Sequence, residues 1–468
     1  MTAVPSPGYG APATETERRV RSGPTGLGAL TLGFFACPAF PLAALALALV
    51  VYLPNFYAGH LGISLTTVGA VFSVIRLLDL GVDPFLGGMM DRTRTRVGRY
   101  RPWMLASIPI LMVGCWLAFM PYHGAGPLYL IGALVLVYFG YSIGVLGHMA
   151  WGGVLVDDYH ERSRVFGWVQ ASTVGGMILV LILPIILAKT APGNEAAGVA
   201  SMGWFIILMT PLTILLAVWR APEPLVGGGK APAASPMQYL AVLRRPSVIR
   251  ILACTTLLAS APGINGAVFL FFFRQSRGFS PADSSLLLLI YFVGGFAGAP
   301  VWSWASKALG KHKAMMVGCA YYAVFQALAL AIPKGSLAVG VPIMLLSGVG
   351  FSAYLILLRA MTADVCDEAR LDLKADFTGV IYALHNAGAK IGSAIGVAIT
   401  FPMLEQVFHF KPGMRAHNTP FAIHGLEFAF VALPILCVIA AGLSLIGYRL
   451  TEERHKEIRA ALVARGEG

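Results

Sequence analysis

Twelve long apolar runs dominate the chain, and each is long enough to cross the hydrocarbon core of a bilayer, which takes about 20 residues. Leu, Ala and Gly fill these runs without the alternation of a strand. Because no water is present in the bilayer core, such runs must satisfy their backbone groups internally as helices. The sequence therefore predicts an all-α membrane protein with 12 transmembrane helices. The predicted spans are 28–57, 66–90, 102–121, 128–155, 165–189, 199–219, 247–273, 283–305, 313–333, 338–361, 377–408 and 421–448.

Charged residues are scarce and unevenly placed. They make up 12% of the 468 residues, against roughly 25% in soluble domains. Most basic residues lie before span one, after the even-numbered spans or in the C-terminal tail, which places both termini in the cytoplasm of a cell inner (plasma) membrane protein. The net charge of +12 is thus explained by topology, and we expect the lipid bilayer and no nucleic acid as a partner.

The longest polar connector, residues 221–246, divides the spans into two sets of six. We predict a disordered cytoplasmic N-terminal tail (1–26), an N-terminal six-helix bundle (27–220), a cytoplasmic linker (221–246), a C-terminal six-helix bundle (247–450) and a cytoplasmic C-terminal tail (451–468). The halves echo each other: basic loops follow spans two and eight, and the acidic and basic segments DDYHERSR and DVCDEAR are predicted to follow spans four and ten. Parallel six-span repeats are typical of the major facilitator fold.

Asp79 and Asp83 are the acids placed deep within spans, and their spacing of four puts both on one helix face. Acids there cost roughly 2.5–3.5 kcal/mol each on insertion scales. Lys390 lies in the middle of span eleven and needs a carboxylate partner, so we expect it to pair with them across the halves. Two carboxylates can hold H⁺ or Na⁺, with metal binding only if Na⁺ is the ion. Arg76 is expected to neutralise part of the pair. The alternative is a static buried salt bridge.

A basic loop follows span two, and two interpretations of it stay open. It orients the chain by its positive charge, or it also closes a cytoplasmic gate by pairing with nearby acids. Asp158 belongs to the same acidic cluster after span four. The candidate gate residues are Asp91, Arg92, Arg99, Arg101, Asp157, Glu161 and Arg164.

Several polar and aromatic residues within spans are candidates for a substrate cavity, and the alternative for each is a satisfied interior polar group or an interfacial aromatic. Trp151 could stack on a flat apolar face, and His148 could donate or accept a hydrogen bond. Asn386 lies one turn before Lys390. Arg359, near the cytoplasmic end of span ten, is expected to extend its guanidinium to the membrane surface. The substrate-binding candidates are Trp151, His148, Gln170, His385 and Asn386.

The chain carries no HExxH, P-loop or GxSxG motif, and its six cysteines are scattered without metal-ligand spacing. We therefore expect no enzyme, no ATP-driven pump and no cofactor other than a coupling cation.

The segment RLLDLGVDPFLGGMMDRTRTRVGRYRPWML resembles the glycoside–pentoside–hexuronide:cation symporters of the major facilitator superfamily, which include the melibiose carrier. HERSR and ADVCDEARLDLKADFTGVIYALHNAGAKIGSA extend the similarity. The resemblance implies that Asp79 and Asp83 form the cation site, that Lys390 communicates with it, and that Trp151 lies near the substrate.

The chain departs from the sugar-binding part of that pattern. Span one (PAFPLAALAL) has no acid, Gly147 stands where an Asp precedes the tryptophan, and WVQASTVGG in span five has no arginine. Val82 replaces an amide between the two acids, which favours H⁺ over Na⁺. The resemblance implies a cation-coupled symporter of a small organic solute, sugar or glycoside-like. A lysolipid or organic acid is the alternative substrate, and we expect a monomer.

Overall fold

The computed structural model describes residues 27–156, 159–190, 195–223, 242–373, 377–413, 417–448 and 450–465. Twelve helices in these ranges are long and apolar enough to span a membrane, which confirms the predicted fold class. A thirteenth helix follows them. The helices are α1 (Ala29–Gly59), α2 (Leu65–Arg92), α3 (Arg101–Phe119), α4 (Pro127–Leu155), α5 (Tyr159–Thr190), α6 (Glu195–Arg220), α7 (Pro246–Ser276), α8 (Pro281–Leu309), α9 (Lys311–Ala331), α10 (Leu337–Leu373), α11 (Thr378–Val407), α12 (Pro420–Ser444) and α13 (Glu452–Ala464).

Hydroxyl side chains cap three helices at the side of the membrane away from the termini. Ser64 accepts a hydrogen bond from the backbone of Thr67, Ser280 from that of Asp283, and Thr419 from that of Ala422. Each cap satisfies one of the backbone N–H groups that a helix start leaves unpaired. The sequence thus fixes where α2, α8 and α12 begin.

Helix α10 is longer than the sequence predicted, because it continues from the expected end at 361 to Leu373. The acidic segment DVCDEAR, predicted to follow span ten, therefore lies on the helix itself. Polar partners stabilise this extension: Lys311 Nζ donates to both carboxylate oxygens of Asp364, at 2.6 and 2.8 Å. His455 Nε2 lies 3.0 Å from Asp367 Oδ2.

Close packing within each half depends on glycine. A Cβ added at Gly294 on α8 would collide with the backbone carbonyl of Leu345 on α10, and one at Gly348 with that of Tyr291. Small residues let helix backbones approach at such distances. The pairs α8–α10 and α7–α11 are the most extensive helix contacts in the second half.

The two halves share a hydrophobic core at one side of the membrane and separate at the other. Away from the termini, one buried cluster joins residues of both halves, such as Tyr52 and Phe272. Toward the termini, one cluster lies wholly in the second half and another wholly in the first. The molecule is therefore sealed on the side opposite the termini and divided on the terminal side. An even number of crossings places both termini on one side, and their cytoplasmic location remains a prediction.

The segment after α12, predicted as a cytoplasmic C-terminal tail, forms a packed helix. Ile458 and Leu462 of α13 are buried, at 1% and 0% exposure. They join the core of the second half, alongside Val365 and Ala369 of α10. The predicted N-terminal tail, 1–26, and most of the predicted linker lie outside the described residues.

Candidate functional site: an acid pair bridged across the halves

Asp79 and Asp83 lie on α2, one turn apart, and face α4 and α11. A contact before the acids and a contact of Asp79 itself support this orientation. Ser73, six residues before Asp79, donates to the carbonyl of Ala394 on α11 at 3.0 Å. Ser142 Oγ on α4 donates to Asp79 Oδ1 at 2.5 Å. The helical period therefore carries both acids to the boundary between the two halves.

Lys390 completes the site from the second half. Its Nζ lies 2.6 Å from Asp79 Oδ2 and 2.5 Å from Asp83 Oδ2. The side chain of Asp79 is 6% exposed, whereas those of Asp83 and Lys390 are 25% and 24% exposed. The cross-half pairing predicted from the sequence is thus present in the structure. The site is buried at Asp79 and accessible at Asp83.

One carboxylate oxygen of the acid pair lacks a hydrogen-bond partner. Asp83 Oδ1 is buried and has no hydrogen-bond partner among the described residues. Desolvating a carboxylate oxygen without a partner is costly. This oxygen is therefore the atom of the site that would gain most from a proton or a cation.

Arg76 does not pair with the acids as the sequence suggested. In the described part of the chain, the ion pairs of Asp79 and Asp83 are with Lys390, and Arg76 Nε is buried without a hydrogen-bond partner. The guanidinium instead forms a side-chain hydrogen bond with Tyr138 of α4 and lies near Tyr141. The expected neutralisation of the acid pair by Arg76 would act without an ion pair and stays a prediction.

Trp151 and His148, predicted to contact substrate, lie in a packed aromatic cluster with Phe35. Trp151 is fully buried, meets the Phe35 ring edge-on and donates from Nε1 to the carbonyl of Pro222 at 3.0 Å. His148 stacks on Phe35, and its Nε2 lies 2.7 Å from the Phe35 carbonyl. In this conformation both residues have structural partners and neither reaches the acid pair.

The remaining substrate candidates occupy different environments. His385 is buried, and its Nδ1 lies 3.3 Å from Thr255 Oγ1 and 3.1 Å from Thr362 Oγ1. Gln170 on α5 and Asn386 on α11 are exposed. Asn386, four residues before Lys390, is the candidate of this group that shares a helix face with the acid site.

The basic loop between α2 and α3 is held by a residue that the sequence reasoning missed. Glu223 is 2% exposed in its side chain. Its Oε1 accepts from the backbone N–H of Arg99 at 2.5 Å and of Tyr100 at 2.8 Å, and its Oε2 from that of Arg101 at 3.2 Å. The carboxylate therefore caps the start of α3, where its charge also favours the helix dipole.

Gly98 makes this cap possible. Its φ is 132°, and a Cβ at this position would collide with the Glu223 carboxylate. Arg101 also pairs with Glu223, with Nε 4.0 Å from Oε2. The sequence shows both Gly98 and Glu223, but the two residues are 125 positions apart. No sequence pattern indicates that Glu223 caps the helix that follows Gly98.

The structure describes the contacts of some of the other gate candidates but not of all. Glu161 pairs with Arg164 on its own helix at 3.3 Å, in an exposed position. Arg92 ends α2. The side chain of Asp91 and residues 157–158 lie outside the described residues. The predicted closure between the loop arginines and the cluster after α4 therefore stays a prediction for another conformation.

An apolar cavity lies between the halves, with about 850 Å³ of empty space, part of it open to solvent. Residues of α1, α5, α7, α8, α9, α10 and α12 line it, among them Phe269, Phe292, Phe351 and Phe430. Two of its polar residues are already engaged with each other and with the protein. Gln326 Nε2 donates to Asn265 Oδ1 at 3.3 Å, and Asn265 Nδ2 to Tyr322 at 2.7 Å.

Twelve spans in two six-helix halves, a shared core on one side and a charged pair joining the halves define a membrane transporter of the major facilitator type. The model of the family described as "MFS/sugar transport protein" matches residues 34–452. The chain belongs to this family, and the resemblance drawn from the sequence is confirmed.

Similar proteins agree with this assignment. A symporter of Synechocystis, sll1374, is 24% identical, with 89% of this chain and 93% of that protein covered. The isoprimeverose transporter of Lactiplantibacillus pentosus is 25% identical over 85% of this chain and 84% of its own. Among solved structures, a mutant of the nucleoside transporter NupG superposes with a TM-score of 0.69 at 12% identity, covering 90% of this chain and 99% of that chain. That likeness concerns the fold alone.

Proposed function

We propose that the protein is a cation-coupled symporter in which Asp79 and Asp83 hold the coupling cation and Lys390 competes with it. The observation that carries this proposal is the position of the Lys390 ammonium, which bridges both carboxylates from the opposite half. An ammonium in that place is chemically a cation already bound to the site. A proton or metal ion that binds the acids must weaken this bridge.

Weakening the bridge would couple binding to movement. Of the hydrogen bonds and ion pairs that join the halves within the described ranges, the one at Lys390 lies nearest the terminal side. When a cation releases Lys390, the contact that restrains the halves at this depth is lost. Each ligand that favours the same conformation then raises the affinity for the other, reciprocally.

The donor set favours a proton over sodium. The oxygens at hand are those of Asp79 and Asp83 with the hydroxyl of Ser142. Within the described residues, no group of three or more His, Cys, Asp or Glu side chains could hold a metal ion. A proton needs a single oxygen, and Asp83 Oδ1 is a buried one without a partner. Na⁺ would require additional ligands from the substrate or backbone.

The family description and the name of the isoprimeverose transporter support a sugar or glycoside as the solute. An amphipathic solute, such as a lysolipid or an organic acid, is the second candidate, and the apolar lining of the central cavity favours it. We propose that the protein works as a monomer, catalyses no chemical reaction and needs no cofactor besides the coupling cation.

The test is uptake by proteoliposomes under an imposed gradient. Purified protein is reconstituted, and accumulation of radiolabelled glycosides is compared under an inward pH gradient, an inward Na⁺ gradient and no gradient. We expect a pH gradient to drive accumulation above the external concentration. Uptake that only equilibrates under every gradient would refute cation coupling, and accumulation driven by Na⁺ alone would refute the proton.

A further inference from the structure

A second cavity lies at the terminal side of the second half. It encloses about 770 Å³ of empty space, part of it open to solvent. The first turn of α7, the last turns of α10 and the segment between α12 and α13 line it. Its lining shares no residue with the acid pair or with the apolar cavity between the halves. The cavity is therefore separate from the transport pathway.

Three side chains that line this cavity carry a buried polar atom without a hydrogen-bond partner among the described residues. These atoms are Arg245 Nη1, Glu368 Oε2 and Tyr448 Oη. Tyr448 as a whole is only 7% exposed. The first atom is a donor, the second an acceptor, and the hydroxyl can act as either. Because buried polar groups are normally paired, their convergence on one cavity indicates a site for a polar ligand.

The cavity also holds a cation and an anion apart. Arg250 donates to the backbone carbonyl of Gly447. Neither Arg250 nor Glu368 forms an ion pair in the ranges that the structure covers, whereas Arg245 pairs with Asp372. Charges of opposite sign that line one cavity without joining each other match a ligand that carries both signs. A purely anionic ligand would leave the Glu368 carboxylate uncompensated.

The cationic end of the cavity suits a phosphate. Helix α7 begins with Pro246, and no described side chain caps its start, so the N–H groups of the first turn lack a side-chain acceptor. A helix start of this kind favours phosphate through its N–H groups and its dipole. The guanidinium groups of Arg245 and Arg250 line the same end, and guanidinium binds phosphate with charge-assisted hydrogen bonds.

The surroundings of the cavity indicate a membrane lipid as the source of that phosphate. Ile249, next to Arg250, is 52% exposed, and Ile446, two residues before Tyr448, is 59% exposed. Exposed apolar side chains on transmembrane helices face the acyl chains of the bilayer. The cavity thus lies where spans α7 and α12 meet the membrane surface, and basic pockets between spans at this level can bind lipid headgroups.

We propose that this cavity binds a phosphoethanolamine group carried by a membrane lipid. The phosphate lies against Arg245, Arg250 and the start of α7. The ammonium lies against the Glu368 carboxylate and the Tyr448 hydroxyl. A headgroup held in this way links α7 to the last turns of α10 and so stabilises the second half. The site does not depend on the proposed transport activity, and failure of cation-driven uptake would leave it standing.

Three lipids with the same acyl chains test the recognition of both charges. Native mass spectrometry of the purified full chain gives dissociation constants for dioleoyl phosphatidylethanolamine, phosphatidylcholine and phosphatidylglycerol. Phosphatidylcholine has a cation that cannot donate a hydrogen bond, and phosphatidylglycerol has no cation. We expect phosphatidylethanolamine to bind about fivefold more tightly than each of the others, because only its ammonium can donate to the carboxylate.

Two soluble competitors distinguish a lipid from a free phosphate compound. We expect sn-glycero-3-phosphoethanolamine to displace the lipid only at a concentration about a hundredfold above the lipid dissociation constant, because it lacks acyl chains to bury. Inorganic phosphate should compete less well still. Equal affinity of the glycerol compound and the lipid would overturn the lipid source. Competition by phosphate as strong as that by the glycerol compound would overturn recognition of the ammonium.

Variants separate the two ends of the site. Glu368→Gln should reduce the preference for phosphatidylethanolamine over phosphatidylcholine to within about twofold, because a neutral amide does not compensate the ammonium. Arg250→Gln should weaken all three lipids alike, since each carries the phosphate. The matched controls are Glu457→Gln and Arg454→Gln, because these two exposed residues pair with each other on α13. Neither control should change any of the three dissociation constants.

Tyr448→Phe keeps the test independent of folding. The hydroxyl has no partner among the described residues, so its removal should leave the midpoint of thermal unfolding in lipid-free detergent unchanged. It should weaken phosphatidylethanolamine by about threefold, the effect of losing one hydrogen bond. A lower midpoint with unchanged lipid binding would show a structural hydroxyl and contradict its part in the site. Equal binding of the three lipids, or an unchanged preference in Glu368→Gln, would overturn the proposal.

Discussion

Lys390 and Asp83 stand in different halves of the protein, and the ammonium of one lies 2.5 Å from the carboxylate of the other. Lys390 lies on a helix whose first turns are on the terminal side, and Asp83 lies near the end of α2 on that same side. The contact therefore sits where the shared core of the halves ends. A change in charge at this pair therefore weakens or strengthens the contact between the halves that lies closest to the place where they separate.

Asp83→Asn should abolish cation-driven accumulation while protein remains in the membrane. The amide matches the carboxylate in size but cannot take up a proton at neutral pH, so the driving ion loses its site. Uptake in proteoliposomes under a pH gradient should fall to simple equilibration. Asp283→Asn is the control, because Asp283 is a partly exposed acid at the start of α8. Full concentrative uptake by Asp83→Asn would refute the assignment.

Lys390→Met should destabilise the protein, because it leaves two carboxylates at the boundary without their cation. Breaking a fully buried pair costs roughly 3–5 kcal/mol, and we expect less here because a quarter of Lys390 and Asp83 is exposed. The double variant Lys390→Met with Asp79→Asn should recover part of the loss, since it removes the uncompensated charge of the more buried acid. Thermal unfolding of the purified variants measures this coupling. Strictly additive effects would show that the pair contributes no interaction energy.

Glu223→Ala should loosen the start of α3, because three backbone N–H groups lose their acceptor. Loss of such a cap costs about 1–2 kcal/mol. Glu457→Ala is the control, since Glu457 is 65% exposed and pairs with Arg454 within its own helix. Hydrogen exchange at residues 97–103 should rise in the first variant and stay at the native rate in the second. Equal exchange in both would contradict the capping role.

Leu462→Ala should destabilise the second half by about 2–5 kcal/mol, the usual range for truncating a buried leucine side chain to alanine. Leu462 is 0% exposed, and its helix adds polar contacts through His455 to Asp364 and Asp367. The exposed neighbour Val463 provides the matched control, Val463→Ala. A lower midpoint of thermal unfolding for Leu462→Ala alone is expected. Identical midpoints would mean that α13 is not docked.

The sealed side can be trapped by cross-linking. Glu405 Oε2 accepts from the backbone N–H of Thr66 at 2.7 Å across the halves. With the six native cysteines replaced, Thr66→Cys with Glu405→Cys should react with a short bis-maleimide in the absence of ligand and then lose transport. The pair Thr66→Cys with Lys307→Cys, from opposite sides of the membrane, should not. Failure of the first pair to cross-link would contradict closure of this side.

The sequence predicted the spans and the acid–lysine pairing for the same physical reason. Charges are so costly within apolar helices that Asp79, Asp83 and Lys390 have few possible partners. The end of α10 was mispredicted because its last turns leave the apolar run, and their helix depends on contacts with Lys311 and His455 that are remote in sequence.

Polar residues in the spans were predicted less well. Hydrogen bonding to a nearby backbone carbonyl satisfies Trp151 and His148, and a sequence does not distinguish such a residue from a ligand contact. Glu223 was missed because it belongs to a polar connector, where an acid is not unusual. Its position against the loop between α2 and α3 follows from the fold and not from the local sequence.

The bond between Glu223 and the start of α3 also defines where the protein can be divided. A protease site inserted directly after Glu223 would cut the covalent connection between the halves and leave the helix cap intact. The product would be a two-piece transporter, held together by noncovalent contacts such as the shared core and the ion pairs of Lys390. Whether the pieces stay associated would then be a direct measure of the affinity of one half for the other.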